Sequence, residues 1–197
     1  MYERITWKFD DSWEIKVRHT ARYGAPGEKR KKRKKPTPEQ MRENNQRNRI
    51  EKYRRLIKWN FVPEEDYWIT FTYHPEERLR RRFKKAGTEM KWICITEIGS
   101  KGAVHHHMIL NRIEGLDTMI TKMWKHGHVS IKLLYKDGDF QGLAKYLCKE
   151  SRVSPSRNLI EKDPEVQVMK RGTWPEEIKV PKGFYLDKNS VREGINL

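Results

Sequence analysis

Apolar positions along this chain change period several times, and each change marks an element. Arg4 to Phe9 and Trp13 to Arg18 alternate apolar with polar side chains, the period of a half-buried strand, and Asp10-Asp11-Ser12 between them reads as a turn. An N-terminal hairpin is expected. Thr37-Pro38-Glu39-Gln40 is a capping-box pattern with Pro at the first helical position, which starts a long helix ending near Trp59. Its apolar positions are sparse until Ile50, Tyr53, Leu56 and Ile57, so its first half is expected at the surface or against a ligand. A strand from Asp66 to Tyr73, a basic helix after Pro75, and a hairpin from Met90 to Asn111 turning at Gly99 to Ala103 come next. A helix from about Leu116 to Lys125, a strand from His128 to Leu134 and a helix from Phe140 to Lys149 complete the pattern. Phe140, Leu143, Ala144 and Leu147 form the apolar stripe of that last helix. The order predicts an α+β fold in which a mainly antiparallel sheet packs helices against one face.

The second hairpin carries the candidate chemistry. Its returning strand holds His105, His106 and His107, and strand alternation sends His105 and His107 to one face and His106 to the other. With the hairpin centred on Lys101, Glu97 stands opposite His105, which makes a site of two imidazoles and one carboxylate. A slip of one residue pairs Glu97 with His106 on the opposite face instead. Such ligands suit Zn, Mn and other divalent ions, and a solvent-facing histidine patch is the alternative. In the last helix Tyr146 and Lys149 are three apart and therefore neighbours, either a phenol and an ammonium aimed at one spot or an ordinary amphipathic surface. A phenol, with a reference pKa of about 10, needs a nearby cation or base before it attacks phosphorus.

Taken together, Glu97, the His-x-His strand and the later Tyr-x-x-Lys helix resemble the HUH endonucleases, which nick single-stranded DNA and include rolling-circle replication initiators of plasmids, phages and small DNA viruses. The resemblance runs from about Tyr67 to about Leu159. Ile69-Thr70-Phe71-Thr72-Tyr73 is similar to the family's first motif, and Met123 to His128 and Ser156-Arg157-Asn158-Leu159 are similar to segments of bacterial and phage members. The resemblance implies a five-stranded sheet in the manner of an RNA-recognition fold. It also implies Glu97, His105 and His107 as ligands of Mg or Mn, Tyr146 as a nucleophile forming a 5′-phosphotyrosine, and Lys149 as its helper. A single-stranded origin, which a hairpin can present, is the implied partner, with host helicase and polymerase. Where several such initiators carry a second tyrosine, this chain has Gly142, which marks a single-tyrosine enzyme. On this reading the chain divides into an N-terminal hairpin (1–27), a basic arm (28–36), a nuclease domain (37–153) and a C-terminal extension (154–197). Two other readings stand beside it: a transposase or relaxase with the same chemistry, and a non-catalytic binder with an RNA-recognition-like sheet.

Charge agrees with a nucleic-acid partner. There are 43 Lys and Arg against 27 Asp and Glu, a net charge of +16, so phosphate binding that weakens with salt is expected. Seven consecutive basic residues run from Lys29 to Lys35, and Arg78, Arg80, Arg81, Arg82, Lys84 and Lys85 crowd one helix. Trp68, Tyr73 and Trp92 are candidates for stacking on bases, with core packing as the alternative. Cys94 and Cys148 lack metal-type spacing and are expected as buried free thiols. No Gly-x-x-x-x-Gly-Lys-Ser/Thr loop occurs in these residues, so no ATP-driven motor is expected among them. No apolar run is long enough to span a membrane and Met1-Tyr2-Glu3-Arg4 does not open a signal peptide, so a cytoplasmic protein is expected.

Overall fold

A computed structural model describes residues 2–19, 35–72, 76–100, 102–124, 127–135, 139–149, 152–169, 179–188 and 191. The elements in chain order are β1 (Tyr2–Lys8), β2 (Trp13–His19), α1 (Pro38–Asn60), β3 (Tyr67–Phe71), α2 (Glu76–Lys85), β4 (Trp92–Ile98), β5 (Val104–Leu110), α3 (Leu116–Met123), β6 (Val129–Leu133), α4 (Gln141–Lys149), β7 (Val153–Pro155) and β8 (Glu165–Met169). They fall into two compact units, one of residues 1–41 with 162–197 and the other of residues 42–161. The basic run up to Lys34, together with Tyr73 and Lys125, lies outside the described residues.

In the first unit the expected hairpin forms, with Lys8 paired to Trp13 and the Phe9 amide donating to the Ser12 carbonyl at 2.8 Å. β8 adds to the other side of β1, giving the order β2-β1-β8. Glu3 is buried and accepts a hydrogen bond from Arg18 Nε at 2.9 Å, so its charge is paired.

The second unit is built on a five-stranded antiparallel sheet of order β6-β3-β5-β4-β7. The run β3-α2-β4-β5-α3-β6 is a split βαβ arrangement of the ferredoxin-like type, and the fold is α+β as expected. Helices cover both faces of the sheet, however, instead of one. Leu79 and Phe83 of α2 with Leu116, Met119 and Ile120 of α3 pack on Tyr67, Ile69, Phe71, Cys94, Met108 and Leu110. Leu56 and Ile57 of α1 with Ala144 and Leu147 of α4 pack on Ile93, Ile95 and Ile109. The continuous buried runs Ile93-Cys94-Ile95 and Met108-Ile109-Leu110 require this, because alternate residues of an apolar run point to opposite faces. Both cysteines are buried and free.

Capping and cross-links hold α1 in place. The Gln40 amide donates to Thr37 Oγ1 at 3.2 Å while Gln40 Oε1 accepts from the Thr37 amide at 3.0 Å, the reciprocal pair of a capping box. Farther along, Gln46 Nε2 donates to the Cys148 carbonyl at 2.9 Å and so ties α1 to α4. Among the described residues no helix is long and apolar enough to cross a membrane.

Asp66, at the entry to β3, joins three segments. Its carboxylate accepts the Val62 amide at 2.8 Å and the Arg112 amide at 2.7 Å, and it is buried. Burial holds this carboxyl above the usual aspartate range, against the pull of the two amides. Asp66→Ala leaves both amides without a partner and is expected to cost about 2 to 4 kcal/mol by urea denaturation. A raised native pKa stabilises fully below the unfolded value and less as pH rises through the native one. The gap between wild type and variant should therefore narrow as pH rises through that range.

Candidate active site

The Gly99–Ala103 turn fixes the second hairpin. Gly99 N donates to the Ala103 carbonyl and Gly102 N to the Gly99 carbonyl, both at 2.8 Å, and Gly102 takes a φ of 77°, a conformation cheap only for glycine. Ile98 then pairs with Val104 and Glu97 with His105. This register places Glu97, His105 and His107 on one face of the sheet. His106 goes to the other, where its Nδ1 lies 3.0 Å from Thr96 Oγ1.

On that face α4 lies over β4 and β5, because Ala144 and Leu147 are buried against Ile93, Ile95 and Ile109. The helix thereby brings Tyr146 to the carboxylate and the imidazole. Its hydroxyl donates to Glu97 Oε2 at 2.6 Å and lies 3.0 Å from His107 Nε2, while His107 Nε2 and Glu97 Oε2 are 3.2 Å apart. Lys149, one turn along, is mostly exposed and sets its ammonium 3.7 Å from Glu97 Oε1. The hydrogen bond from Tyr146 holds the Glu97 carboxyl below the usual glutamate range, with Lys149 and His107 adding to the effect against partial desolvation. Burial depresses the pKa of His107, partly offset by Glu97, which favours a neutral ring.

His105 is not joined to this cluster by a hydrogen bond among the described residues. Its ring centroid is 6.5 Å from that of His107, and the ring rests against Gly99, where an added β-carbon would meet His105 Nε2 at 3.2 Å. As they stand, no three His, Cys, Asp or Glu side chains among the described residues are gathered closely enough to hold an ion. The donor types nevertheless suit a divalent cation: two imidazoles and an ionised carboxylate on one sheet face, with Gly99 leaving His105 room.

Thr70, which had no assigned role in the sequence, and Trp68, a candidate for stacking on bases, complete the site. Thr70 Oγ1 lies 3.0 Å from His107 Nδ1 and fixes the ring's orientation, so that Nε2 faces Glu97 and Tyr146. Trp68 stacks on His107 with centroids 5.6 Å apart at 12° and meets Tyr146 edge-on at 5.8 Å. Its in-face spacing from Thr70 on β3 was the available signal, but only pairing with β5 shows which ring it touches. Trp92 is buried in the core on the opposite face and is not available for stacking on bases.

The flanking segments have structural roles. Trp124 packs on Phe71 at 4.9 Å, and Gly127, with φ 99°, lies so close to Thr72 that an added β-carbon would sit 2.6 Å from Thr72 Oγ1. Ser156 Oγ accepts the Trp92 amide at 3.0 Å, and Asn158 Nδ2 donates to the Met90 carbonyl at 3.2 Å, so the segment after β7 secures the start of β4. On α2, Arg80, Arg81, Arg82, Lys84 and Lys85 are exposed around the buried Leu79 and Phe83.

No curated protein and no solved structure matches the chain. A family model described as a replication-associated protein matches residues 66–151, a stretch that contains Glu97, His105, His107, Tyr146 and Lys149 and that is therefore similar to proteins serving DNA replication.

Proposed function

We propose that this chain initiates replication by nicking single-stranded DNA at an origin through a covalent tyrosine intermediate. The observation that carries this reading is the Tyr146 hydroxyl, held 2.6 Å from Glu97 Oε2 and 3.0 Å from His107 Nε2. A phenol at the meeting point of a carboxylate, an imidazole and an ammonium has a proton acceptor in place and a cation near its developing charge. The match to a replication-associated family over this region agrees with it.

In the reaction Tyr146 Oη forms a bond to the scissile phosphorus as the bond from phosphorus to the 3′-oxygen breaks. The phenolic proton leaves along the hydrogen bond to Glu97 and passes on to solvent, and the departing 3′-oxygen takes up a proton from water to become a free hydroxyl. The product is a 5′-phosphotyrosine, and attack by a 3′-hydroxyl reverses the step and rejoins a strand. Glu97, His105 and His107 would hold Mg or Mn, which when bound supplies Lewis-acid polarisation of the phosphate. Lys149 balances the charge beside Tyr146, and Trp68 and Thr70 keep His107 in its orientation. A helicase and a polymerase would supply unwinding and extension from the free 3′-hydroxyl; no ATP-binding loop occurs in these residues.

Incubation of the protein with a labelled single-stranded origin library and Mn, followed by a denaturing gel, tests the proposal. A protein-linked oligonucleotide is expected, lost on chelation; cleavage without any adduct would remove the tyrosine mechanism. Thr70→Val is expected to lower cleavage about 10- to 100-fold, the usual cost of losing a group that orients a ligand. Raising Mn should restore much of that loss if Thr70 acts through His107.

A further inference from the structure

A cavity of about 610 Å³ opens between α3 and the edge strand β6, on residues the nicking reaction does not use. Its size falls within the range of ligand sites, about 300 to 1,000 Å³. Arg112, Lys122 and Lys132 contribute three cations to its wall and Asp117 one carboxylate, and Thr118 adds a hydroxyl. None of the three cations forms an ion pair with a carboxylate among the described residues.

Tyr67 is the informative member of this wall. The residue is only 4% exposed, and its hydroxyl, which is not among the buried unpartnered atoms, keeps access to solvent at the cavity wall. A phenol whose ring is held in the core and whose hydroxyl opens on a cavity is a fixed hydrogen-bonding group available to a ligand there. The Arg112 guanidinium sits 5.8 Å from the centre of the Tyr67 ring, and the Arg112 backbone is fixed by its amide bond to Asp66. Hydroxyl and guanidinium are thereby presented together, a pair suited to phosphate oxygens. Asp117 suits the amino or hydroxyl groups of a base or sugar.

The cavity lies on the sheet face opposite the candidate active site, and the two are separated by the edge strand β6. Lys132 of β6 is the register partner of Trp68, the ring stacked on His107. A strand passing over Trp68 meets Lys132 next and, by crossing the edge of β6, enters the cavity. We infer that this cavity binds a nucleotide through its phosphate, as one unit of the DNA strand beyond the cleavage point or as a free nucleotide. The inference rests on the reading of DNA as the substrate.

The test compares wild type with Arg112→Gln/Lys122→Gln and with Tyr67→Phe, each checked by thermal melting. Binding of a long and a short single-stranded oligonucleotide is measured by anisotropy across a salt series, and adduct formation on the short one is scored with Mn. The double variant should bind the long oligonucleotide at least tenfold more weakly, with a salt slope shallower by about 1.4 at roughly 0.7 per lost phosphate contact. Tyr67→Phe should weaken it about threefold to tenfold, and adduct formation on the short oligonucleotide should be unchanged in both. Titration of wild type with a deoxynucleoside monophosphate separates the two sources. Saturation that the double variant loses identifies a free nucleotide, whereas an effect confined to the long oligonucleotide identifies the strand. Unchanged long-oligonucleotide affinity and slope together with unchanged monophosphate binding would overturn the inference, as would tighter competition by an acidic peptide than by DNA. Absence of any adduct in wild type would instead count against the nicking reaction, independently of the cavity.

Discussion

Tyr146→Phe is expected to abolish formation of the protein–DNA adduct while leaving single-stranded DNA affinity within about twofold. The substitution removes one oxygen and keeps the ring, whose edge-on contacts with Trp68 at 5.8 Å and His107 at 5.4 Å do not involve the hydroxyl. Glu97 and His107 remain 3.2 Å apart and partly open to water, so neither loses its only partner. A change in stability of no more than about 1 kcal/mol follows, and fold loss is not a competing explanation. Removing a covalent nucleophile costs on the order of 10⁴- to 10⁶-fold in rate, which places residual cleavage below detection on a gel. Cleavage within tenfold of wild type would mean that some other group attacks phosphorus. Anisotropy on the same oligonucleotide separates loss of chemistry from loss of binding.

What the amino-acid sequence disclosed of this site was whatever short range controls. Alternation along β5 set His105 and His107 on one face, and the glycines of the Gly99–Ala103 turn set the register that brings Glu97 alongside. The apolar stripe of α4 likewise implied which side of that helix would be buried and hence where Tyr146 would emerge. Contacts made across long sequence separations were not legible. Thr70 lies 37 residues from His107, and no local pattern distinguishes it from any other strand threonine. The conformation of His105 depends on the space above Gly99, a matter of side-chain packing that strand periodicity does not contain. The second helical layer was missed for a related reason. Alternation implies a sheet with one covered face, and the short apolar runs in β4 and β5 were the counter-signal. Gly127, Ser156 and Asn158 belong to segments marked only by resemblance, and their positions give them packing and capping roles in securing β3 and β4.

Glu97→Gln should produce the second large loss, about 10²- to 10³-fold in cleavage, comparable to removing a fixed charge-stabilising group from an active site. Glu97 is the residue that Tyr146, His107 and Lys149 all contact, at 2.6, 3.2 and 3.7 Å. Glutamine has the same shape and can still accept from the phenol. It cannot, however, take up the phenolic proton, balance Lys149 or offer an anionic ligand to a divalent ion. The loss should therefore appear in two separable measurements, weaker Mn binding by calorimetry and slower adduct formation at saturating Mn. An effect on Mn affinity alone would confine Glu97 to holding the ion, and an effect on rate alone would confine it to the proton of Tyr146. Wild-type behaviour in both would remove Glu97 from the site, and with it the reason for Tyr146 and His107 to meet where they do.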